Sequence, residues 1–255
     1  MELKTQSNCR RCYGRGVILE EGPEGLVSRI CSCQRERLVG RRLQAAGIAQ
    51  PRYQGMLLSS YQPRNRHQQK ALSGIIDYVN NFSEIRGQKN NSVLLVGDVG
   101  VGKTHLLVGA ARALIEKGFP VLFVSTVELI ENLREAELNK TNPEYDGESL
   151  RSQMHLLSTA ELVIFDDVGQ EKITEWVQVQ YYRIINQRYL AMLPTMFSTN
   201  LGREELKKAV GDTVASRIAE MSAGRLYVIQ GENLRYEYAR RFPLNPAVWE
   251  EKSEY

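Results

Sequence analysis

The sequence predicts an α/β protein: a domain with a five-stranded parallel sheet, preceded by a small metal-binding module and a helical linker. Two observations predict the sheet. Short apolar runs alternate with helical segments from residue 91 onward, and the first run leads into a glycine-rich loop. Such alternation is typical of a parallel sheet that is covered by helices on both faces. The third observation, which predicts the module, is that all four cysteines lie within the first 33 residues.

Five apolar runs and the segments between them are the predicted elements of the domain. The predicted strands are 92–96, 121–125, 162–165, 195–198 and 226–229. The predicted helices are 103–116, 127–138, 176–189, 203–209 and 214–221. Gly118 and Pro120 follow the first of these helices, and both residue types end helices.

The whole chain divides into four predicted zones. Residues 1–36 form the cysteine-bearing module, and residues 37–90 form a basic, mostly helical linker with a break near residues 47–51. The α/β domain covers residues 91–243, and residues 244–255 form a C-terminal tail. The chemistry is therefore expected in the first and third zones.

Composition bounds the environment and the partners. Of the 255 residues, 42% are hydrophobic and 25% are charged, as in ordinary globular domains. There is no apolar run long enough for a transmembrane helix and no apolar signal core, so we expect a cytoplasmic protein with no membrane partner. The net charge of +3 conceals an asymmetry, since residues 1–90 hold 15 Lys and Arg against 7 Asp and Glu. A basic first third fits a nucleic-acid or acidic protein partner, and it fits a merely solvated surface equally well.

The glycine-rich loop at residues 97–104 reads GDVGVGKT and matches the phosphate-binding pattern G-x-x-x-x-G-K-[ST] at every fixed position. It follows a predicted strand and opens a predicted helix, which is the context that the motif requires. The loop N–H groups and the helix N-terminus favour phosphate; Lys103 is predicted to reach the β- and γ-phosphates of ATP, and Thr104 to bind Mg²⁺. The predicted nucleotide-binding residues are Gly97, Asp98, Val99, Gly100, Val101, Gly102, Lys103, Thr104 and His105.

Polar residues follow two later strands and complete the predicted site. The third strand ends in Asp166 and Asp167, and the fourth ends in Asn200. A carboxylate at the end of a strand that neighbours the phosphate-loop strand suits magnesium, so Asp166 is predicted to hold Mg²⁺, through water. Asp167 is predicted to polarise the attacking water, a role for which Glu would reach one methylene further. Asn200 is predicted to orient that water beside the γ-phosphate.

The four cysteines form two pairs, Cys9-x-x-Cys12 and Cys31-x-Cys33, with 18 residues between the pairs. Two such pairs can supply four thiolates to one tetrahedral Zn²⁺. A module this small has little core, so the metal would supply its folding energy. An iron–sulfur cluster and free thiols are the alternatives. Four thiolates leave no open coordination position, and the predicted zinc site is therefore structural.

In this order, the pieces resemble those of AAA+ ATPases and, more narrowly, of helicase loaders of the DnaC/DnaI type. The segments that carry the resemblance are 46–53, 97–105, 165–169, 197–201, 214–218 and 231–235. The resemblance implies that Asn200 is sensor I, that Arg217 is an arginine finger acting on the ATP of a neighbouring subunit, and that Arg235 is sensor II. An arginine supplied across an interface makes hydrolysis depend on assembly.

The same resemblance implies a function. A protein of this type is an ATPase that binds the hexameric replicative DNA helicase and places it on single-stranded DNA. It changes state when it binds and hydrolyses ATP. The resemblance also implies that the module at 1–36 contacts the helicase and that subunits self-assemble through AAA+ interfaces. Three alternatives stay open: an IstB-type transposition helper, which usually lacks a cysteine module, a small-molecule kinase, which would need a lid, and a zinc-dependent nucleic-acid-binding protein with a regulatory nucleotide site.

Overall fold

The computed structural model describes residues 9–22, 25–138 and 148–236. The predicted tail at 244–255 lies outside the described residues. An antiparallel hairpin lies between the two cysteine pairs and consists of β1 (Val17–Gly22) and β2 (Gly25–Ile30). The local pattern did not predict this hairpin, because its apolar residues are interrupted by charged ones and both strands are largely exposed.

The predicted five-stranded parallel sheet is confirmed. Its strands are β3 (Val93–Val96), β4 (Val121–Ser125), β5 (Leu162–Asp166), β6 (Thr195–Thr199) and β7 (Leu226–Val228). Their order across the sheet is β4-β5-β6-β3-β7, and every pairing is parallel. All the strands therefore present their carboxyl ends at one edge, where ligands bind in sheets of this kind.

One expectation about strand order was wrong. Strand β5, which ends in Asp166, is not a neighbour of the phosphate-loop strand β3, because β6 pairs with both of them. The register sets Val96 beside Thr199 and Phe165 beside Phe197. Strand order depends on where each crossover helix packs, and the local apolar pattern carries no record of that choice.

The helices surround the sheet on both faces. They are α1 (Ser32–Ala45), α2 (Arg66–Asn80), α3 (Phe82–Ile85), α4 (Lys103–Glu116), α5 (Thr126–Leu138), α6 (Glu148–Thr159), α7 (Glu175–Leu190), α8 (Arg203–Val210) and α9 (Asp212–Met221). Two short 3₁₀ turns, Pro51–Tyr53 and Leu58–Ser60, lie between α1 and α2. Helix α6 was not predicted. Within the three described stretches, none of these helices is both long and apolar enough to cross a membrane.

Two hydrophobic cores lie on opposite faces of the sheet. On β5, Leu162 and Ile164 join the core with α2 and α4, whereas Val163 and Phe165 join the core with α5, α7 and α9. All four side chains are buried, and burying an aliphatic or aromatic side chain of this size stabilises a fold by about 1.5–3 kcal/mol. This alternation explains why the strand reads as an unbroken apolar run.

The stretch between the cysteine module and the sheet contributes to the first of these cores. Ala46, Ile48 and Tyr53 are buried in it together with residues of α4. The backbone N–H of Phe123 donates to the Ala46 carbonyl at 2.9 Å, which joins this stretch to the middle of β4. The stretch that was predicted as a linker thus packs on the phosphate-loop side of the sheet.

Arg188 on α7 is buried and has no carboxylate partner among the described residues. Its guanidinium donates to the carbonyls of Leu157, Ala160 and Pro194 at 2.7–2.9 Å, and to the hydroxyl of Thr195 at 2.9 Å. Burial lowers the pKa of Arg188 to about 9, so the group stays charged at neutral pH. The arginine joins the end of α6 to the start of β6, and its cost of burial is offset by four hydrogen bonds.

Candidate nucleotide and metal sites

The glycine-rich loop lies where it was predicted, between the end of β3 and the start of α4. Gly100 and Gly102 have φ angles of 79° and 101°, a region that residues with a Cβ rarely adopt. Gly102 directly precedes α4, so the loop leads into the unpaired N–H groups at the helix N-terminus. These groups and the helix dipole favour a phosphate at this point.

Lys103 is the first residue of α4, and its side chain is buried in the loop. Its ammonium donates to the carbonyls of Gly97 at 2.7 Å and Asp98 at 2.9 Å, and to the side-chain oxygen of Asn200. Burial lowers the pKa of Lys103, and the negative charge of Asp167 opposes that shift. The structure therefore brings the predicted lysine and the predicted asparagine into direct contact.

Asp166 lies at the end of β5 with both carboxylate oxygens hydrogen bonded. Thr104 donates to one oxygen at 2.8 Å, and Ser198 donates to the other at 2.5 Å. Burial raises the pKa of Asp166, and the charge of Asp167 raises it further, whereas the two hydroxyls lower it. A threonine hydroxyl and a carboxylate in contact are a donor pair that suits Mg²⁺. Ser198 was not among the predicted site residues.

Asp167 has a left-handed backbone with φ of 59°, which is uncommon for a residue other than glycine. Two contacts hold it there: its N–H donates to the Ser198 hydroxyl at 2.9 Å, and its carbonyl accepts from Thr126 at 2.8 Å. Left-handed backbone costs a residue with a Cβ roughly 1–2 kcal/mol. The contacts thus hold the backbone of Asp167 and set the direction in which its side chain leaves the backbone.

Lys103, Thr104 and Asp167 line one cleft of about 560 Å³, whereas Asp166 is not among its lining residues. Its lining consists of Met56, Val99, Gly100, Gly102, Lys103, Thr104, His105, Asp167, Gln170, Asn200, Leu234 and Arg235. The predicted Asn200 and Arg235 both reach this cleft, although 35 positions separate them in the sequence. Met56, Gln170 and Leu234 were not predicted, because single polar or apolar residues in loops carry no motif.

His105 contacts the turn before α2 and does not point to a carboxylate. Its Nε2 donates to the Leu57 carbonyl at 2.9 Å and lies 3.3 Å from the Ser60 hydroxyl. The Tyr61 hydroxyl donates to the Val101 carbonyl at 3.3 Å, and the Tyr61 ring meets the His105 ring edge to face. His105 and Tyr61 therefore fasten the turn Leu58–Ser60 to the phosphate loop, and His105 lines the cleft.

Arg217 does not line this cleft. It lies on α9, and its guanidinium carbon is 5.1 Å from the ring centre of Tyr182 and 5.4 Å from that of Tyr189. Its Nη1 atom is buried and has no hydrogen-bond partner among the described residues. The structure thus separates Arg217 from the other predicted nucleotide residues of its own chain.

The four cysteines converge, as the sequence predicted. Their sulfur atoms all lie within 4.8 Å of one another, with 3.7 Å between Cys9 and Cys31 and 3.5 Å between Cys12 and Cys33. Four sulfurs at about 2.3 Å from one tetrahedral Zn²⁺ would lie roughly 3.8 Å apart. The spacing therefore fits a single ion and is too close for an iron–sulfur cluster, which occupies the space between its ligands.

Electrostatics also favour a cation in this cluster. Backbone N–H groups of Cys12 and Arg11 lower the pKa of Cys9 to about 6. The hydrogen bond with the Cys12 sulfur raises the pKa of Cys33 to about 12, because neighbouring thiols cannot all ionise without a positive charge between them. The Gly16 N–H donates to the Cys12 sulfur at 3.3 Å, a contact that stabilises a thiolate. This donor set suits zinc.

A phosphate-binding loop beside an aspartate and an asparagine, at the carboxyl edge of a sheet with this strand order, defines a P-loop ATPase of the AAA+ type. The chain belongs to the family of IstB-like ATP binding proteins, which it matches over residues 48–223, more than half of its length.

Three proteins of known sequence or structure are similar to this chain. The phage-like element PBSX protein XkdC of Bacillus subtilis (strain 168) is 29% identical over 88% of this chain and 83% of its own length. The replicative helicase loader DnaI of the same organism is 28% identical over 60% of this chain, which spans only 46% of that relative. The crystal structure of the DnaC helicase loader superposes with a TM-score of 0.60 and 28% identity, covering 71% of this chain and 99% of that one.

Proposed function

We propose that the chain is an ATP-dependent loader that binds the hexameric replicative DNA helicase and delivers it onto single-stranded DNA when replication begins. One observation carries this proposal. A four-cysteine cluster precedes an AAA+ ATPase core in a chain whose relatives include the DnaI loader. The likeness to the DnaC loader structure, at 28% identity, supports the same function.

The residues of the cleft have proposed roles in binding ATP. The loop at 97–102 and Lys103 would hold the phosphates through N–H groups and a buried positive charge. Thr104 and Asp166 would hold Mg²⁺, which when bound neutralises charge on the phosphates. Asp167 is proposed to polarise the attacking water, with its side-chain direction fixed by the backbone contacts described above.

The remaining polar groups are proposed to act at the γ-phosphate. Asn200 contacts Lys103, and Arg235 lines the same cleft from the segment after β7, so both would act as sensors for the ATP of their own chain. Arg217 lies outside its own cleft and is proposed to serve the ATP of a neighbouring subunit. Turnover would then depend on self-assembly through AAA+ interfaces.

The cysteine cluster is proposed to hold one structural Zn²⁺ and to give the helicase-binding module at 1–36 its folding energy. The four ligands are Cys9, Cys12, Cys31 and Cys33. The linker at 37–90, the ATPase domain at 91–243 and the tail at 244–255 complete the proposed division. We further propose that the protein acts in the cytoplasm, where helicase and single-stranded DNA are both present.

Two measurements test the loader function. The purified chain is mixed with the hexameric helicase of its source, with and without ATP, and the complex is sought by size-exclusion chromatography. Delivery is then followed as helicase retained on circular single-stranded DNA, which has no free end for threading. We expect retention to require both ATP and the chain. A chain that neither binds the helicase nor raises its retention would contradict the proposal.

A transposition helper is the second candidate, favoured by the family match to IstB-like ATP binding proteins. The two candidates differ in partner, since a helper would bind a transposase and its double-stranded DNA. Equilibrium binding of the chain to duplex and single-stranded oligonucleotides of equal length, measured with ATP present, distinguishes them. A clear preference for the duplex, together with no helicase complex, would favour the helper.

A further inference from the structure

The guanidinium of Arg217 is held between two tyrosine rings of the neighbouring helix. Tyr182 and Tyr189 are seven residues apart on α7, which is two turns or about 10.5 Å along the axis. The guanidinium carbon lies 5.1 Å from one ring centre and 5.4 Å from the other, so both rings are within the range of a cation–π interaction. We call this arrangement the tyrosine clamp.

Arg188 on α7 and Arg217 on α9 differ in how their charge is satisfied. Arg188 is fully buried and uses its N–H groups on a hydroxyl and three carbonyls. Arg217 keeps part of its surface exposed, forms no ion pair with any described residue, and has a buried Nη1 without a hydrogen-bond partner. Arg188 is a structural group, whereas the charge of Arg217 is balanced by no carboxylate among the described residues.

Ring faces have a property that carboxylates lack. They attract a guanidinium and limit its rotation without accepting strong hydrogen bonds and without cancelling its charge. An arginine between two rings therefore keeps its donors and its full positive charge for an external anion. A phosphate that arrives from outside meets a group whose orientation has already been restricted.

We propose that Tyr182 and Tyr189 are positioning residues for Arg217, and that the clamp aims this arginine at the γ-phosphate of ATP bound to a second copy of the chain. The inference rests on the proposed function, in which Arg217 acts across a subunit interface. Tyr182 fits this role, because 45% of its surface is exposed, whereas its neighbour Tyr181 is buried in the core. The exposed ring stands at the surface that a second copy would cover. The Tyr189 hydroxyl donates to Glu220 at 2.9 Å, and the ring itself contacts Arg217.

The first test removes the rings. In the double variant Tyr182→Leu and Tyr189→Leu, we expect kcat to fall roughly five- to thirty-fold, as expected from two cation–π contacts at a partly exposed site. ATP affinity should not change, because neither tyrosine lines the nucleotide cleft. The matched variant Tyr182→Phe and Tyr189→Phe keeps both rings and should keep kcat within two-fold of the parent, to order of magnitude. A double leucine variant with the parental kcat would overturn the proposal.

The second test separates a positioning role from a structural one. The double leucine variant is mixed with Asp167→Asn, which cannot hydrolyse its own ATP but carries an intact clamp and Arg217. In a random 1:1 assembly, about a quarter of the interfaces join an intact Asp167 to an intact clamp, so activity should rise to about 1.5- to 8-fold that of the double leucine variant alone. No rise in demonstrated mixed assemblies would assign the rings to the active site of their own chain and overturn the proposal.

A parallel mixture tests the proposed role of Arg217 across the interface separately from the role of the clamp. Arg217→Ala mixed with Asp167→Asn should recover activity to a similar level if the arginine acts across the interface. Without that recovery, Arg217 has no role in trans and the clamp has nothing to position. If this mixture recovers activity and the double leucine variant is fully active, the proposed role of the tyrosine clamp is refuted, whereas the proposed role of Arg217 is supported.

Discussion

Replacement of Ser198 by alanine is the sharpest single test of the catalytic geometry. The Ser198 hydroxyl is fully buried on β6; it donates to the Asp166 carboxylate at 2.5 Å and accepts from the Asp167 N–H at 2.9 Å. One hydroxyl therefore orients the proposed magnesium ligand and holds the left-handed backbone of the residue proposed to polarise water. Ser198→Ala removes both contacts without changing the size of the side chain by more than one oxygen.

The structure sets the expected magnitudes. A hydrogen bond to an ionised group contributes about 1.5–3 kcal/mol to stability, and the buried Asp167 N–H is left without its acceptor. If the activation free energy of hydrolysis rises by a similar amount because Asp167 is no longer held in place, kcat should fall on the order of 10- to 100-fold. ATP affinity should change much less, because the loop and Lys103 keep their contacts.

The pH profile gives a second signature of the same variant. Burial and the charge of Asp167 raise the pKa of Asp166, and the Ser198 hydroxyl opposes that rise. Ser198→Ala should therefore raise this pKa further. Since the ionised carboxylate is the proposed magnesium ligand, activity is lost as the pH falls through the pKa, and the acidic limb of kcat against pH should move to higher pH. The loss in unfolding free energy should be smaller in acid, where Asp166 is protonated in both proteins.

Ser222 provides a matched control. It is also fully buried, yet its hydroxyl has no hydrogen-bond partner among the residues described. Ser222→Ala should change neither kcat nor its pH profile. Steady-state ATP hydrolysis between pH 5 and 9 and urea unfolding measure both effects. The reasoning is refuted if Ser198→Ala keeps its kcat within about two-fold and its acidic limb does not move.

Three other predictions concern separate parts of the molecule. Lys103→Ala should abolish ATP binding and leave the fold intact, which a titration with a fluorescent ATP analogue and a thermal melt would show; unchanged affinity would contradict the site. Arg188→Met should lower the free energy of unfolding by about 3–5 kcal/mol in urea, because the carbonyls bound by the guanidinium lose a buried donor, and a loss below about 1 kcal/mol would contradict that role. Cys31→Ser should reduce the zinc content from one ion per chain and weaken helicase binding with unchanged ATP affinity; elemental analysis that finds no zinc in the parent chain would refute the metal assignment.

The sequence predicted the sheet and its helices closely because local patterns determine them. The helix Lys103–Glu116 and the strand Val121–Ser125 have the predicted bounds, since a glycine loop, a proline and an unbroken apolar run mark their ends. Helix α6 was missed, because the polar run at 139–147 that precedes it in the sequence indicated a loop, and the prediction did not start a new helix after it. The hairpin was missed for a related reason, since its strands are exposed and have no core to impose alternation.

The candidate site was predictable only where a motif exists. The loop and the two aspartates are recognisable because phosphate and magnesium demand particular residue types at fixed spacing. Ser198, Met56 and Gln170 reach the site through strand order and loop paths, which the sequence does not record locally. The contact of Tyr182 with Arg217 depends likewise on how α7 packs against α9. The proposed roles of the site residues await the tests above.

Helix α1 gives the molecule an unusual continuity. It begins inside the cysteine cluster, where Cys31 is the N-cap and Cys33 lies in the first turn. After 14 residues, about 21 Å of helix, it reaches the core beside α4, where the Arg42 guanidinium donates to the Ile115 carbonyl. The helix that starts at the cysteine cluster therefore ends against the helix that starts at Lys103.

The consequence is mechanical. No loop interrupts the backbone from the cysteine cluster to the end of α1, so a motion of the cluster would carry this helix with it and would shift its contact with α4 at Ile115. A shortened chain that started at residue 37 would begin within α1, without its N-cap or its first turn. Such a chain would lack the four cysteines and the part of α1 that begins inside their cluster.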